Sequence, residues 1–150
     1  MVAPGVSRGW IIGLCLILAA AIAACSPPTP SPRERVLEFV RLIQSDSLPN
    51  IMPYIDLDSV AAYEYADAKY DSLPLPQKKQ RLLDAFAGSG EIRANWARAQ
   101  IVVNEEQFLD DTSASVEVSF IDRSTRIQYY SQFLMKKRAA SWIITDFQIN

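Results

Sequence analysis

Carboxylates and aromatic rings are the side chains of this sequence with chemistry to offer. Asp56, Asp58, Glu64 and Asp67 lie close together along the chain, and the Asp56–Asp58 pair offers oxygen ligands to a hard cation. Calcium needs roughly six to eight oxygens, and no loop of ligand spacing follows this pair. Helix caps and a solvated helix face account for these acids, so no metal site is expected. A carboxylate can also serve as a buried general base beside Tyr or acid partners. Tyr63, Tyr65, Asp67, Trp96, Tyr129 and Asp146 supply those residue types, but no spacing singles out a base.

A second kind of chemistry sits near the N-terminus. Met1–Arg8 carries one positive side chain, Arg8, and Gly9–Ala24 is uncharged and strongly apolar. Cys25 follows at once. This order of basic, apolar and small-residue segments is that of a secretory leader. Ile22-Ala23-Ala24-Cys25 resembles the lipobox of bacterial lipoproteins. The resemblance implies cleavage before Cys25, a diacylglycerol on its thiol and acylation of its new amino group. A plain uncleaved membrane anchor or simple secretion are the alternatives, although the apolar run is at the short edge of the ~20 residues that a span requires. Ser26, rather than Asp, after the cysteine implies onward sorting to the outer membrane. Residues 26–32 contain four prolines, a composition that favours an extended stalk of roughly 20 Å at ~3.1 Å per residue. The expected domains are therefore a leader over 1–24, a lipidated Cys25 with a tether over 25–32, and one folded domain over 33–150.

Loss of the leader removes Arg8 and no acid, taking the net charge from −2 to −3. Nucleic acid, which demands a clustered basic surface, is not an expected partner. The chain has no histidine and two cysteines. Cys15 would leave with the leader and Cys25 would be consumed as a thioether. Ser–His–Asp and Cys–His catalysis and the usual zinc sites are thereby excluded. No catalytic residue and no cofactor is expected, and stability must come from packing without a disulfide.

The elements that must position these side chains fall into a helical half and a strand half. Arg33–Gln44 places Val36, Phe39, Val40 and Ile43 at helical spacing, with Ser31 and Glu34 as a capping box. A turn over Leu48–Pro53 leads to a second helix, Ser59–Tyr70, capped by Asp56 or Asp58. Its buried side would hold Val60, Tyr63 and residues 66–68. Gln77–Ala87 forms a third helix with Leu82, Leu83 and Phe86 inward, ended by Gly88. From Arg93 the period becomes two. The inward sets are Ala97, Ala99, Ile101 and Val103, then Ala114, Val116, Val118 and Phe120. Ile127, Tyr129, Ser131, Phe133 and Met135 form the third set, and Ile143, Thr145, Phe147 and Ile149 the fourth. Short polar breaks at 110–113, 122–125 and 136–140 make the strands an antiparallel meander. The fold class is α+β, with N-terminal helices on a curved four-stranded antiparallel sheet.

Helices followed by such a sheet resemble the cone-shaped nuclear transport factor 2-like superfamily. The ending Ala140-Ser141-Trp142-Ile143-Ile144-Thr145-Asp146-Phe147 is similar to the last strand of many of its bacterial members. Residues 51–58 (IMPYIDLD) and 76–86 (PQKKQRLLDAF) resemble segments of the Mla phospholipid-shuttle, or toluene-tolerance, family. This chain departs from that family in its lipid anchor, its shorter first helical region and its stop at Asn150. The resemblance implies an apolar or lipid-like ligand between helices and sheet. Tyr63, Phe86, Trp96, Tyr129, Phe133 and Trp142 are the candidate lining, with core packing as their other use. Lys136-Lys137-Arg138 is expected in a hairpin turn, solvated or touching anionic headgroups. The expected protein is a binding or accessory module on the periplasmic face of the envelope, held by acylated Cys25. Docking of an envelope protein on the sheet, or a cofactor-free isomerase- or dehydratase-like activity using a buried Asp, are the rival uses of the same fold.

Overall fold

The computed structural model describes residues 29–66, 68–70 and 72–149. The leader, Cys25 and Asp67 lie outside the described residues. Helix α1 spans Pro32–Gln44, α2 Leu57–Glu64, α3 Leu75–Phe86 and α4 Glu91–Trp96. Strands β1 (Ala99–Phe108), β2 (Ser113–Asp122), β3 (Gln128–Arg138) and β4 (Ser141–Ile149) follow. The strands pair antiparallel in the order β1-β2-β3-β4. The α+β class with helices packed on this sheet is borne out.

Local chemistry explains the starts of the helices. Ser31 Oγ accepts from the Glu34 N–H at 3.2 Å, and Glu34 accepts from the Ser31 N–H at 2.8 Å. This reciprocal cap satisfies two donors that a helix start otherwise leaves open. Asp56, not Asp58, caps α2 by accepting from the Ser59 N–H. Burial pushes the Asp56 carboxyl up, but Ser59 and the Arg138 guanidinium together outweigh that and hold it below its usual range.

Three expectations about the helical half are corrected. The second helix stops at Glu64, short of Tyr70, and a separate 3-10 turn covers Ala68–Tyr70. The Lys78 ammonium takes the Tyr65 carbonyl at 2.7 Å, and the Tyr65 ring meets Tyr70 edge-on at 5.0 Å. These tertiary contacts replace the continuing helical bonds. Tyr63 lies 49% exposed instead of inward. Residues 93–96, expected at the start of the strand pattern, belong to α4. Trp96 is fully buried there, so α4 is fixed by the core it enters more than by local propensity.

Two bulges set the sheet. The β1–β2 register shifts between Val103 and Glu105, and the β3–β4 register shifts between Leu134 and Met135. A bulge bends its strand and changes which residues face inward. In β4 the inward residues are therefore Trp142 and Ile144, then Phe147. Ile143 and Thr145, expected inward, stand half-buried on the other phase. Ile127 lies before β3 and is 60% exposed. The Lys136-Lys137-Arg138 run belongs to β3, and Ala139, with φ +54°, makes the turn. The outer edge of β4 is closed by the chain at 54–56. Ile144 N–H donates to the Tyr54 carbonyl and Asp56 N–H to the Ile144 carbonyl, each at 2.8 Å, which blunts an otherwise open edge.

Between helices and sheet lies one aromatic cluster. Phe39, Phe86, Trp96, Phe120, Phe133 and Phe147 are all fully buried. Trp96 stacks on Phe120 at 4.8 Å and meets Phe133 at 6.1 Å and Phe147 at 6.0 Å. Phe39 reaches Phe86 edge-on at 5.7 Å. Phe133→Ala should therefore lower unfolding free energy by about 3–5 kcal/mol. A urea melt would read this as a lower midpoint at unchanged slope; a loss under ~1 kcal/mol would mean the cluster is loosely packed.

Candidate functional site

One roomy cavity at the surface is built from helix ends. The stop of α2 leaves Glu64 and Tyr65 at the rim, and Tyr70 follows in the 3-10 turn. Along α3, Arg81, Asp84 and Ala85 share the facing side. Gly88, at φ +52°, lets the chain reverse after α3. A Cβ on Gly90 would fall 2.1 Å from the Asp84 carbonyl oxygen, so only glycine lets α4 start this close to α3. Two bonds from Asp46 Oδ1 steady this corner, one to the Gly88 N–H at 3.0 Å and an ion pair with Arg93 at 3.3 Å. From α4 come Glu91, Ile92 and Asn95. Together these residues line a cavity of about 570 Å3.

Its electrostatics are one-sided. Three carboxylates, Glu64, Asp84 and Glu91, face one guanidinium, Arg81. Gln80 donates to Asp84 at 2.8 Å. Among the described residues, no ion pair joins Glu64 or Glu91 to a base. The Arg81 guanidinium lies 5.8 Å from the centre of the Tyr70 ring. Burial raises the Glu64 carboxyl above its ordinary value of 4.5, and the charge of Asp146 adds to the rise. Burial likewise raises Tyr65, with the Glu64 charge contributing.

A smaller cavity of about 270 Å3 lies beside Met52, Ile55, Leu57, Asp56, Asp58, Lys79 and Arg138. Its charges cancel internally, because Lys79 pairs with Asp58 at 2.7 Å and Arg138 with Asp56. Asp56 and Asp58 thus serve as a helix cap and an ion-pair partner. No group of three or more potential metal ligands occurs among the described residues.

The candidate lining residues named from sequence lie apart from these two cavities. Phe86, Trp96 and Phe133 are fully buried in the ring cluster, and Trp142 is 5% exposed. Tyr129 stacks on Phe120 at 5.3 Å. Tyr63 accepts from Gln148 on the outside of the molecule. None of the six lines either cavity. The physical reason is volume: side chains occupy the interval between helices and sheet. Of the possible bases, Asp146 is buried at 7% exposure, and burial raises it against the lowering pull of the Phe147 N–H. Its Oδ1 has no partner among the described residues, and it lines neither cavity. Arg81, Asp84, Glu91, Asn95 and Tyr70 were not singled out from sequence. Their signal there was only the Gly88–Gly90 reversal.

No family model matches the chain, and no curated protein matches it. Solved structures that are similar include two from bacteria. One is the phospholipid-binding protein from Ralstonia solanacearum, in complex with a phospholipid. It is 13% identical, with a TM-score of 0.47 over 79% of this chain and 75% of that one. The other is a nuclear transport factor 2-like protein of unknown function from Shewanella oneidensis MR-1. It is 11% identical, with a TM-score of 0.46 over 79% of this chain and 98% of that one. At these scores neither bears on what this chain binds.

The raised carboxyls make stability depend on pH in a fixed direction. Where a folded acid holds its proton more tightly than the unfolded one, the native state binds more protons and stability falls as pH rises. For Asp146 the fall starts near its ordinary 3.8 and continues until its raised value is passed. Asp146→Asn should flatten that decline. Chemical denaturation at pH 4 and pH 7 checks it, and an unchanged difference between the two pH values would show that Asp146 carries no penalty.

Proposed function

We propose that this chain is an exported, non-catalytic binding module, held at the outer membrane through acylated Cys25, whose ligand enters the pocket between α2, α3 and α4. The observation that supports this is the contrast between a ring-filled interior and a roomy, charged cavity at the helix ends. A volume of about 570 Å3 lies in the range of small-molecule sites, roughly 300–1,000 Å3. The described rings pack at 4.8 to 6.4 Å between helices and sheet, so the helix-end cavity is the roomier place for a ligand. A lipid-like ligand would have to present its headgroup here and leave its tails outside.

The lining favours a ligand that carries an ammonium group. Glu64, Asp84 and Glu91 supply negative charge, and Tyr65 and Tyr70 supply rings whose faces attract cations. The Glu64 carboxyl, exposed at the rim and raised by partial burial and the Asp146 charge, gains from such a partner because a nearby cation favours its charged form. Arg81 suits an anionic group on the same ligand. A zwitterion or a zwitterionic headgroup meets both demands. The binding reading is favoured over catalysis because Asp146, the buried carboxylate, lines neither cavity, and the pocket pairs no base with a nucleophile.

The probes are choline, glycine betaine and phosphocholine, with 3,3-dimethylbutanol as the uncharged isostere. Isothermal titration should show the ammonium compounds binding and the isostere silent. Glu64→Gln should weaken them about tenfold, the scale of ~1.4 kcal/mol. Arg81→Ala should weaken phosphocholine more than choline. Equal binding of the isostere, or no binding by any probe to a folded protein, would sink the assignment.

A further inference from the structure

One end of the molecule gathers features that the pocket does not use. The β1–β2 turn places Phe108 and Leu109 there, 59% and 56% exposed. Pairing brings β3 to the same end, with Ser113 opposite Lys136 and the Lys137 N–H donating to the Thr112 carbonyl at 2.7 Å. The Phe108 ring lies 5.8 Å from that of Trp142, and the Lys137 ammonium sits 5.8 Å from the Trp142 ring centre. Arg35 joins the 51–54 turn to this group by donating to the carbonyls of Pro53 and Trp142. That turn carries Met52, 50% exposed.

The same end receives the chain from the N-terminal side. The Arg33 N–H donates to Glu106 at 2.9 Å, so α1 begins beside β1 where the Phe108–Leu109 turn starts. Cys25 stands seven positions before Pro32 in the sequence. At ~3.1 Å per residue for a proline-rich run, seven residues reach roughly 20 Å. An anchor on Cys25 therefore holds this end, not the β2–β3 end, near the bilayer. The local concentration of this surface at the membrane is then set by a short tether.

The acids at this end are partly engaged. Asp110 accepts from both the N–H and the hydroxyl of Thr112, which hold its carboxyl below the usual range. Glu106 accepts from Arg33, and Asp111 stands exposed. Arg138 is paired with Asp56. Lys136 and Lys137 oppose these acids, so charge is near balance and apolar contact must do the docking. An aromatic and a leucine at a turn tip, flanked by lysines, match the interfacial layer of a bilayer.

We infer that the end formed by Phe108, Leu109 and Met52, flanked by Lys136 and Lys137, docks into the lipid headgroup layer and so fixes the orientation of the domain on its tether. This inference rests on the lipid-anchored reading. Docked this way, the sheet runs away from the membrane and the domain cannot swing freely about its stalk.

The test uses the full chain purified from membranes and reconstituted into vesicles of phosphatidylethanolamine and phosphatidylglycerol. An environment-sensitive fluorophore is attached at Leu109→Cys and, separately, at Gln100→Cys on the opposite end of β1. Intact mass reports acylation of Cys25, which also blocks that thiol from labelling. The expected result is a blue-shifted emission at 109 that brominated lipids quench, with 100 unshifted and unquenched. A Phe108→Asp change in the 109-labelled protein should remove the shift while circular dichroism stays native. Water-like emission at both positions in acylated, folded protein overturns the inference. Should the mass show no acyl group, the anchored reading falls. The unanchored chain, carrying Cys15→Ser and Cys25→Ser so that only position 109 is labelled, is then mixed with the same vesicles and decides docking alone: a shift at 109 supports it and its absence overturns it.

Discussion

The structure depends on one packing constraint, the ring cluster around Trp96. Phe39 from α1, Phe86 from α3, Trp96 from α4, Phe120 from β2, Phe133 from β3 and Phe147 from β4 meet at centroid distances between 4.8 and 6.4 Å. Each ring comes from a different element, so the cluster ties the helices to the sheet without any disulfide. One cost is visible. Trp96 Nε1 is buried with no partner among the described residues, a penalty of about 1–3 kcal/mol. Ring pairs contribute about 0.5–1.5 kcal/mol each beyond area burial, and Trp96 takes part in several. Packing therefore wins, and the orphan donor is tolerated.

That constraint also explains what was legible in the sequence. The capping box of Ser31 and Glu34, the 3/4 spacing of α1 and the alternation of Ala114, Val116, Val118 and Phe120 are local signals, and each reads correctly. What failed was decided at a distance. Residues 93–96 become helical because Trp96 is drawn into the cluster, and Gln44 fixes the following chain by donating to the carbonyls of Trp96 at 2.7 Å and Ala99 at 3.2 Å. In β4 a strict period of two put Ile143 and Thr145 inward. A bulge shifts the phase, and nothing in a single sequence announces where a register slips.

The candidate site was hidden for a different reason. Its charged residues come from three short helices, and only the tertiary approach of α3 and α4 at Gly90 makes them neighbours. The residues offered as a pocket lining had core packing as their other use; Phe86, Trp96, Phe133 and Trp142 take it, whereas Tyr63 is 49% exposed. Burial alone cannot distinguish a wall from a filling; the distinction needs the volume between elements, which the rings occupy.

With the rings packed between helices and sheet, the charged cavity lies at the perimeter. The outer sheet face shows how polar groups there are managed. Asn104 donates to Glu117 at 2.8 Å and to Ser119 at 2.7 Å, Gln128 donates to Ser119 at 3.2 Å, and Gln132 donates to Ser115 at 2.9 Å. These side chains satisfy one another across strands, so a partner would have to displace bonds already made, which weakens the face as a docking surface. The helix-end pocket differs because Glu64 and Glu91 have no base paired with them among the described residues. A site gains from a ligand where its own groups are left short of partners. By that criterion the charged pocket is the better place for recognition, and the packed core is what keeps its walls in place.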